Sequence, residues 1–173
     1  MWILLTIMAF ATVPKQIYKG YDFASKHQIE YQLVNDTYTV VYFFNTDCPC
    51  SGAHFKYLNS LKEQYPGWSF IGFHSNKSVD IKKAQAYFDA SNIKFPIIED
   101  EDLQIANVLK AVKTPHVFVI DNRGEVLFQG GATNAKDPER ASKHYLKEVL
   151  TALEKHQPLP YKVAKTLGCY IER

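Results

Sequence analysis

An α/β fold, with a central mixed sheet flanked by helices on both faces, is predicted by three observations. The run Tyr38-Thr39-Val40-Val41-Tyr42-Phe43-Phe44 is β-branched and aromatic, the pattern of a strand buried on both sides. It passes through the turn Asn45-Thr46-Asp47-Cys48-Pro49-Cys50-Ser51-Gly52 into an amphipathic helix, and a second strand and helix follow. A hairpin and a long closing helix complete the order. Parallel crossover units followed by an antiparallel pair imply a mixed sheet covered on both faces.

Taken in order, residues 14–32 are mixed in character, with a helical turn expected at 21–27 and a short leading strand at 30–33. Asn35-Asp36 marks a turn before the central strand. The first helix is expected from about residue 51 to 65, with Ser51 or Asp47 as N-cap and His54, Leu58, Leu61 and Tyr65 on its apolar face. Pro66-Gly67 ends it. Residues 68–73 form the second core strand, followed by a polar loop at 74–77. A second helix is expected at about 79–91, with Ile81, Ala84, Ala86, Tyr87 and Phe88 crowding one side. Phe95-Pro96-Ile97-Ile98 reads as a short strand with its proline at an edge position. The acidic cluster Glu99-Asp100-Glu101-Asp102 precedes a short helix reaching Leu109, whose N-terminus its charge would complement. Next comes Thr114-Pro115-His116, then a strand at 117–120. Asp121-Asn122-Arg123-Gly124 is a hairpin turn leading into a strand at 126–129. Gly130-Gly131 ends the sheet. A closing helix spans 138–156, and the proline-punctuated remainder forms a tail carrying Cys169. The division is thus an N-terminal segment at 1–11, one domain at 14–156 and a tail at 157–173.

With 173 residues, 46% of them hydrophobic and 22% charged, the chain has room for a full core. A net charge of +2, without aromatic-basic interleaving, argues against nucleic acid as a partner. Residues 1–11 are apolar, too short to span a bilayer as a helix, and end in Ala9-Phe10-Ala11, the small-x-small pattern of a signal cleavage site. They lack a Lys or Arg n-region, so beside export stand a true start lying upstream, a hydrophobic N-terminal strand and a membrane tether as readings. Export would place the protein in the periplasm or outside the cell, where disulfides persist; without a signal it is cytoplasmic.

Three cysteines cannot all pair within one chain, and two of them sit where a strand ends and a helix begins. Unpaired N–H groups at such a turn favour a thiolate. Cys48 is therefore the candidate nucleophile. A Cys48-Pro49-Cys50 pair closes only a small, tight disulfide ring, which suits exchange better than storage. Cys169 offers a second resolving thiol if the tail folds back. Asp47, directly before Cys48, would raise a neighbouring thiol's pKa.

The order of motifs resembles the thioredoxin-like superfamily, and within it the redoxin group related to alkyl hydroperoxide reductase and thiol-specific antioxidant. Cys48-Pro49-Cys50-Ser51, Thr114-Pro115 before Val117-Phe118-Val119-Ile120-Asp121, and the turn Asn122-Arg123-Gly124 with its strand and Gly130 carry the likeness. The tail Gly168-Cys169-Tyr170-Ile171 is also similar to the ending of some exported redoxins. The resemblance implies a cis bond before Pro115, a backbone edge at Thr114-Pro115 that binds substrate beside Cys48, and no cofactor. Departures are clear. Ser51 stands where thioredoxins have their second cysteine, Tyr42 replaces a buried acid, and the peroxidatic Pro-x-x-x-Thr-x-x-Cys pattern meets Val41 and Asn45 instead.

Three functions follow as expectations. The first is a thiol-disulfide oxidoreductase with Cys48 attacking, Cys50 or Cys169 resolving, and Pro49, Thr114 and Pro115 shaping the substrate site. Its partners would be protein thiols and disulfides together with an external reductant. The second is a thiol peroxidase with Cys48 peroxidatic. The third is a non-enzymatic copper(I) module using Cys48, Cys50, His54 and His116, whose ligand types suit a soft metal. A satisfied core role is the commoner fate for His54, and no metal residue is assigned.

Overall fold

The computed structural model describes residues 12–77 and 80–173; the segment 1–11, and with it the signal, tether or strand reading, lies outside the described residues. The chain builds β1 (Tyr18–Asp22), β2 (His27–Tyr31), β3 (Thr39–Phe44), α1 (Pro49–Ala53), α2 (Phe55–Gln64), β4 (Ser69–His74), α3 (Ile81–Asp89) and β5 (Ile97–Glu99). It continues with α4 (Gln104–Val108), β6 (Lys113–Thr114), β7 (His116–Ile120), β8 (Val126–Gly130), a 3-10 turn at Pro138–Arg140, α5 (Tyr145–Glu154) and β9 (Cys169–Tyr170).

The expected mixed sheet is present. Seven strands run in the order β2-β1-β5-β4-β3-β7-β8. β3 lies near the middle, parallel to β4 and antiparallel to β7, and all six of its residues are buried. Its alternation splits the core. Val40, Tyr42 and Phe44 face a cluster with Leu58 and Leu61 of α2, Phe88 of α3 and Leu146, Val149 and Leu150 of α5. Val41 and Phe43 face the other side, with Ile105 and Ala106 of α4, Phe118, and Ile171 of the tail. Helices therefore cover both faces, and the carboxyl end of β3 delivers the chain into the Cys48 turn.

Several local expectations are corrected. The stretch 21–27 does hold one helical-type turn, the N–H of Lys26 bonding to the carbonyl of Asp22, but it forms the loop of a β1–β2 hairpin. There Asp22 accepts the N–H groups of Ala24 and Ser25, and Lys26 has φ of 59°. The first helix begins at Pro49 and breaks at His54, and neither Ser51 nor Asp47 caps it: Cys48 is the N-cap and offers no side-chain cap. Ser51 lies inside the helix, its hydroxyl accepting the N–H of Asn45 at 3.1 Å. α3 is shorter than expected, capped by Asp80, and its core face is Ala84 and Phe88 while Ile81 is exposed. β5 is an inner strand; Pro96 stands just before it, with its carbonyl accepting the N–H of Gly72. Asp100 does serve α4, accepting the N–H groups of Ile105 and Ala106. The closing helix is split, because Asn134 takes the N–H groups of Ser142 and Lys143 and holds that stretch out of helical geometry.

The tail is part of the fold rather than an appendage. It runs beside β8, where Gln129 donates to the carbonyl of Lys162 and the N–H of Ala164 returns to Gln129. It then pairs antiparallel with β6, setting Lys113 opposite Tyr170 and Thr114 opposite Cys169.

Candidate active site

The Cys48 turn is braced from within. The side-chain carbonyl of Asn45 accepts the N–H of Asp47 at 2.8 Å and the amide of Asn76 at 3.2 Å. The N–H of Cys48 bonds to the carbonyl of Asn45, and that of Ser51 to the carbonyl of Cys48. Pro49 occupies the first turn of α1, where its missing N–H costs nothing. Across from it, the Thr114–Pro115 peptide is cis, as the resemblance implies. The thiol of Cys48 donates to the carbonyl of Thr114 at 3.2 Å. Thr114 and Cys48 are both fully buried.

All three cysteines meet here. Cys48 is buried, Cys50 half-buried and Cys169 exposed, each as a free thiol. Burial pushes the Cys48 pKa up, but hydrogen bonds from the Cys169 thiol and N–H and from the N–H groups of Cys50 and Ser51 outweigh it. The net is a thiol below its ordinary value. The partners move the other way. Its hydrogen bond to Cys48, then burial, pushes Cys169 up to about 11. Burial and the charge on Cys48 raise Cys50, against a lowering contribution from Lys136. Of the three thiols, Cys48 is the one whose anion the surroundings favour. That division suits a nucleophile with resolving partners.

Asp47, the residue before Cys48, has a basic partner of its own. It pairs with Lys83 of α3 at 2.6 Å, and burial is what opposes the thiolate. The tyrosine in place of a buried acid is itself buried. The Tyr42 hydroxyl has no hydrogen-bond partner, and burial, with the charges on Cys48 and Cys50, raises its pKa. Tyr87 brings another phenol close, and Gly52 makes room for it: a Cβ there would stand 2.7 Å from the Tyr87 oxygen.

The four candidate copper ligands are not brought together. His54 lies among the residues beside Tyr42, and its Nδ1 donates to the carbonyl of Cys50 at 2.7 Å. His116 is paired with Phe43 in register and stacks on Phe118, on the opposite side of the sheet. Among the described residues, no group of three or more His, Cys, Asp or Glu side chains is placed to hold a metal. His74 is not in the polar loop but ends β4, where it is buried and bonds Glu99 at 2.8 Å.

Burial, then Lys113, brings the His116 pKa down to about 4. Its folded value lies below the unfolded one, so between roughly pH 6.5 and 4 the unfolded chain binds the extra proton and stability falls with pH. The expected loss from pH 7 to pH 5 is on the order of 2 kcal/mol, and burial of His54 acts in the same direction. Urea midpoints at the two pH values measure it; identical midpoints would refute the assignment.

Sequence reasoning found Cys48, Cys50, Cys169, Pro49, Thr114 and Pro115, and the structure gathers them. It missed the bracing by Asn45 and the hydroxyl of Ser51, the phenol of Tyr87, and the roles of Lys136 and Ile171. Among these only Ile171, two residues after Cys169 in the Gly168-Cys169-Tyr170-Ile171 tail, left a local trace. Two sizeable clefts lie elsewhere. One of about 680 Å³, lined by Tyr38, Trp68, Arg123 and Leu159, sits at the opposite end of β3, and neither it nor a 410 Å³ cleft beside Tyr31 touches a cysteine.

The fold has solved counterparts. An uncharacterized conserved protein from Geobacillus kaustophilus superposes with a TM-score of 0.80 at 19% identity, covering 96% of this chain and 94% of that one. Peroxidoxin BcpB from Mycobacterium tuberculosis gives 0.61 at 14% identity, over 87% and 100%. A secreted Mycobacterium tuberculosis disulfide oxidoreductase homologous to E. coli DsbE gives 0.56 at 16%, over 73% and 88%. These likenesses establish a thioredoxin-like fold. Among curated protein sequences, none matches this chain. The model of the AhpC/TSA family matches residues 13–129, more than half of the 173 residues and with Cys48, Cys50 and Pro115 among them, and the chain belongs to that family.

Proposed function

We propose that this protein is a thiol-disulfide oxidoreductase of redoxin type, with Cys48 as nucleophile. The observation that carries the reading is the placement of the Cys48 thiol at the start of α1, 3.2 Å from the carbonyl of the cis Thr114–Pro115 peptide, with Cys50 on the same helix and Cys169 on the strand opposite Thr114. The Cys48 thiolate attacks one sulfur of a substrate disulfide, forming a mixed disulfide and expelling the other sulfur as a thiolate that takes a proton from water. A resolving cysteine then loses its proton and attacks the Cys48 sulfur, releasing the second substrate thiol. The substrate gains two electrons and the protein holds an internal disulfide, which an external dithiol reduces. Cys169 is the favoured resolver, since its ladder position opposite Thr114 brings its thiol to hydrogen-bonding reach of Cys48. Pro49, Thr114 and Pro115 shape the wall against which the substrate lies.

Non-reducing peptide mapping after oxidation tests this assignment. A Cys48–Cys169 bond is expected, with Cys50 free, and Cys169→Ser should trap the mixed disulfide. A Cys48–Cys50 bond would transfer the resolving role to Cys50, and three free thiols after oxidation would overturn the proposal. Mapping protein from its native compartment also reads the mature N-terminus: loss of residues 1–11 is the result that export to the periplasm predicts.

A peroxidase reading has support in the family itself. The Cys48 thiolate would cleave a peroxide O–O bond, becoming a sulfenic acid while one oxygen leaves as water or alcohol. Condensation with the Cys169 thiol then expels water and gives the same disulfide. Against it stand Asn45 in the place of the peroxidatic threonine and Lys113 before Thr114. Stopped-flow peroxide consumption no faster than that of a free thiol is the expected outcome.

A further inference from the structure

The tail strand lies where an incoming chain would have to lie. β9 takes up the free edge of Lys113 and Thr114, directly before Pro115, in an antiparallel ladder. It sets a cysteine against Cys48, whose exposure is 0% with the tail in place. A reacting thiol that no solvent reaches needs an opening before any substrate can arrive. The ladder covering it spans only two residues on each strand, and so short a pairing is marginal by itself.

What holds the tail reads as a set of side-chain requirements. Before the cysteine there is no room. A Cβ on Gly168 would stand 2.0 Å from the Thr114 carbonyl oxygen and 2.9 Å from Cδ of Pro115. Two residues after the cysteine, Ile171 is buried with Ala111 and Leu109, and its N–H bonds to the carbonyl of Val112 at 3.1 Å. Between them Tyr170 is 74% exposed and rests on the Lys113 ammonium, 4.9 Å from the ring centroid. Alternate positions thus differ in demand, as they do when an extended peptide is added to a sheet edge.

We propose that the chain's own tail occupies, as a stand-in for substrate, the backbone edge before Pro115 that the resemblance already gives to substrate, and that the polypeptides which displace it carry Gly-Cys-x-aliphatic. The inference rests on Cys48 as the reacting thiol, and it names the substrate class of that site. Glycine is required before the substrate cysteine by the Thr114 carbonyl, and an aliphatic residue two places after it by the Ile171 pocket. The intervening residue is free, with an aromatic favoured. A substrate of this pattern gains the edge when β9 lifts, and Cys48 becomes reachable in the same event.

The experiment uses the full chain with Gly168→Val and, separately, Ile171→Asp. The two act on different contacts and leave Cys48, Cys50, Thr114 and Pro115 in place. Iodoacetamide labelling of the reduced protein, resolved by peptide mass mapping, should show Cys48 alkylated at least about tenfold faster in both variants, with Cys50 hardly changed. A fluorescent peptide copying residues 166–173, with serine in place of the cysteine, should bind both variants saturably and wild type far more weakly. The same peptide with valine in place of its glycine should not bind. Unchanged Cys48 labelling in both variants would overturn the proposal, as would equal binding of the valine peptide. Dimers held by exchanged tails, with no peptide bound, would overturn it in favour of a second copy as occupant. Neither readout needs turnover, so a failure of the oxidoreductase reading and a failure of this one are told apart.

Discussion

Replacing Cys48 with serine brings disulfide reduction down to the uncatalysed rate, while the thermal midpoint stays close to that of wild type. The two halves of this expectation have separate causes. The Cys48 thiol is pulled below its ordinary pKa by three N–H groups and the Cys169 thiol, so more of it is anionic than of a free cysteine at the same pH. A serine hydroxyl in the same setting does not ionise and forms no mixed disulfide. It does keep the donor that Cys48 gives to the carbonyl of Thr114, so the buried acceptor stays satisfied. Cys169→Ser leaves the first attack intact and shows a burst of one released thiol per chain, whereas Cys50→Ser, which keeps the resolving thiol opposite Thr114, continues to turn over. Turnover of a small reporter disulfide, measured alongside calorimetry, checks both halves; turnover retained in the serine variant would remove Cys48 from the chemistry.

The largest loss of stability is expected at Phe44. It is fully buried at the end of β3, with ring centroids 4.5 Å from Tyr42, 5.1 Å from Phe55, 6.2 Å from Phe88 and 6.5 Å from Phe95. Gly72 on the neighbouring strand accommodates it: a Cβ there would stand 2.4 Å from the ring. Phe44→Ala removes a ring that touches β3, α2, α3 and the approach to β5 at once, and nothing nearby is flexible enough to refill the space. The cost is about 3–5 kcal/mol, which lowers the melting temperature by roughly 6–20 °C for a chain of this size. Phe44→Leu, nearer in volume, should cost much less. Urea titration of the two variants distinguishes cavity from chemistry; a loss below about 1 kcal/mol for the alanine variant would mean the site collapses freely.

Much of this architecture was legible because its signals are local. The unbroken apolar run of β3, the Asp121 to Gly124 turn and the spacing of His54, Leu58 and Leu61 each depend on near neighbours. The first hairpin was misjudged for the opposite reason. β2 reads His-Gln-Ile-Glu-Tyr, is mostly exposed, and is a strand because β1 is beside it. The closing helix was drawn too long because the Asn134 side chain, eight and nine residues away, claims the N–H groups that would have continued it. The Cys48 site followed the same division. Cys48 and Pro115 announce themselves by their immediate neighbours, whereas the opposing effects on the three thiols exist only once β9 meets β6. The copper reading failed on strand parity: His116 falls on the face of β7 away from Tyr42 and His54.

The tail's attachment beside β8 sets a length as well as a place. Its last bond to that strand is made by the N–H of Ala164, five residues before Cys169. Five extended residues reach roughly 17 Å. A tail tip that lifts from Thr114 therefore stays on a short leash, at an effective concentration in the millimolar range. Short loops of this kind close in about 10–100 ns. Return of Cys169 to Cys48 is then far faster than encounter with any second molecule, and the pace of a full cycle falls to the diffusing partners.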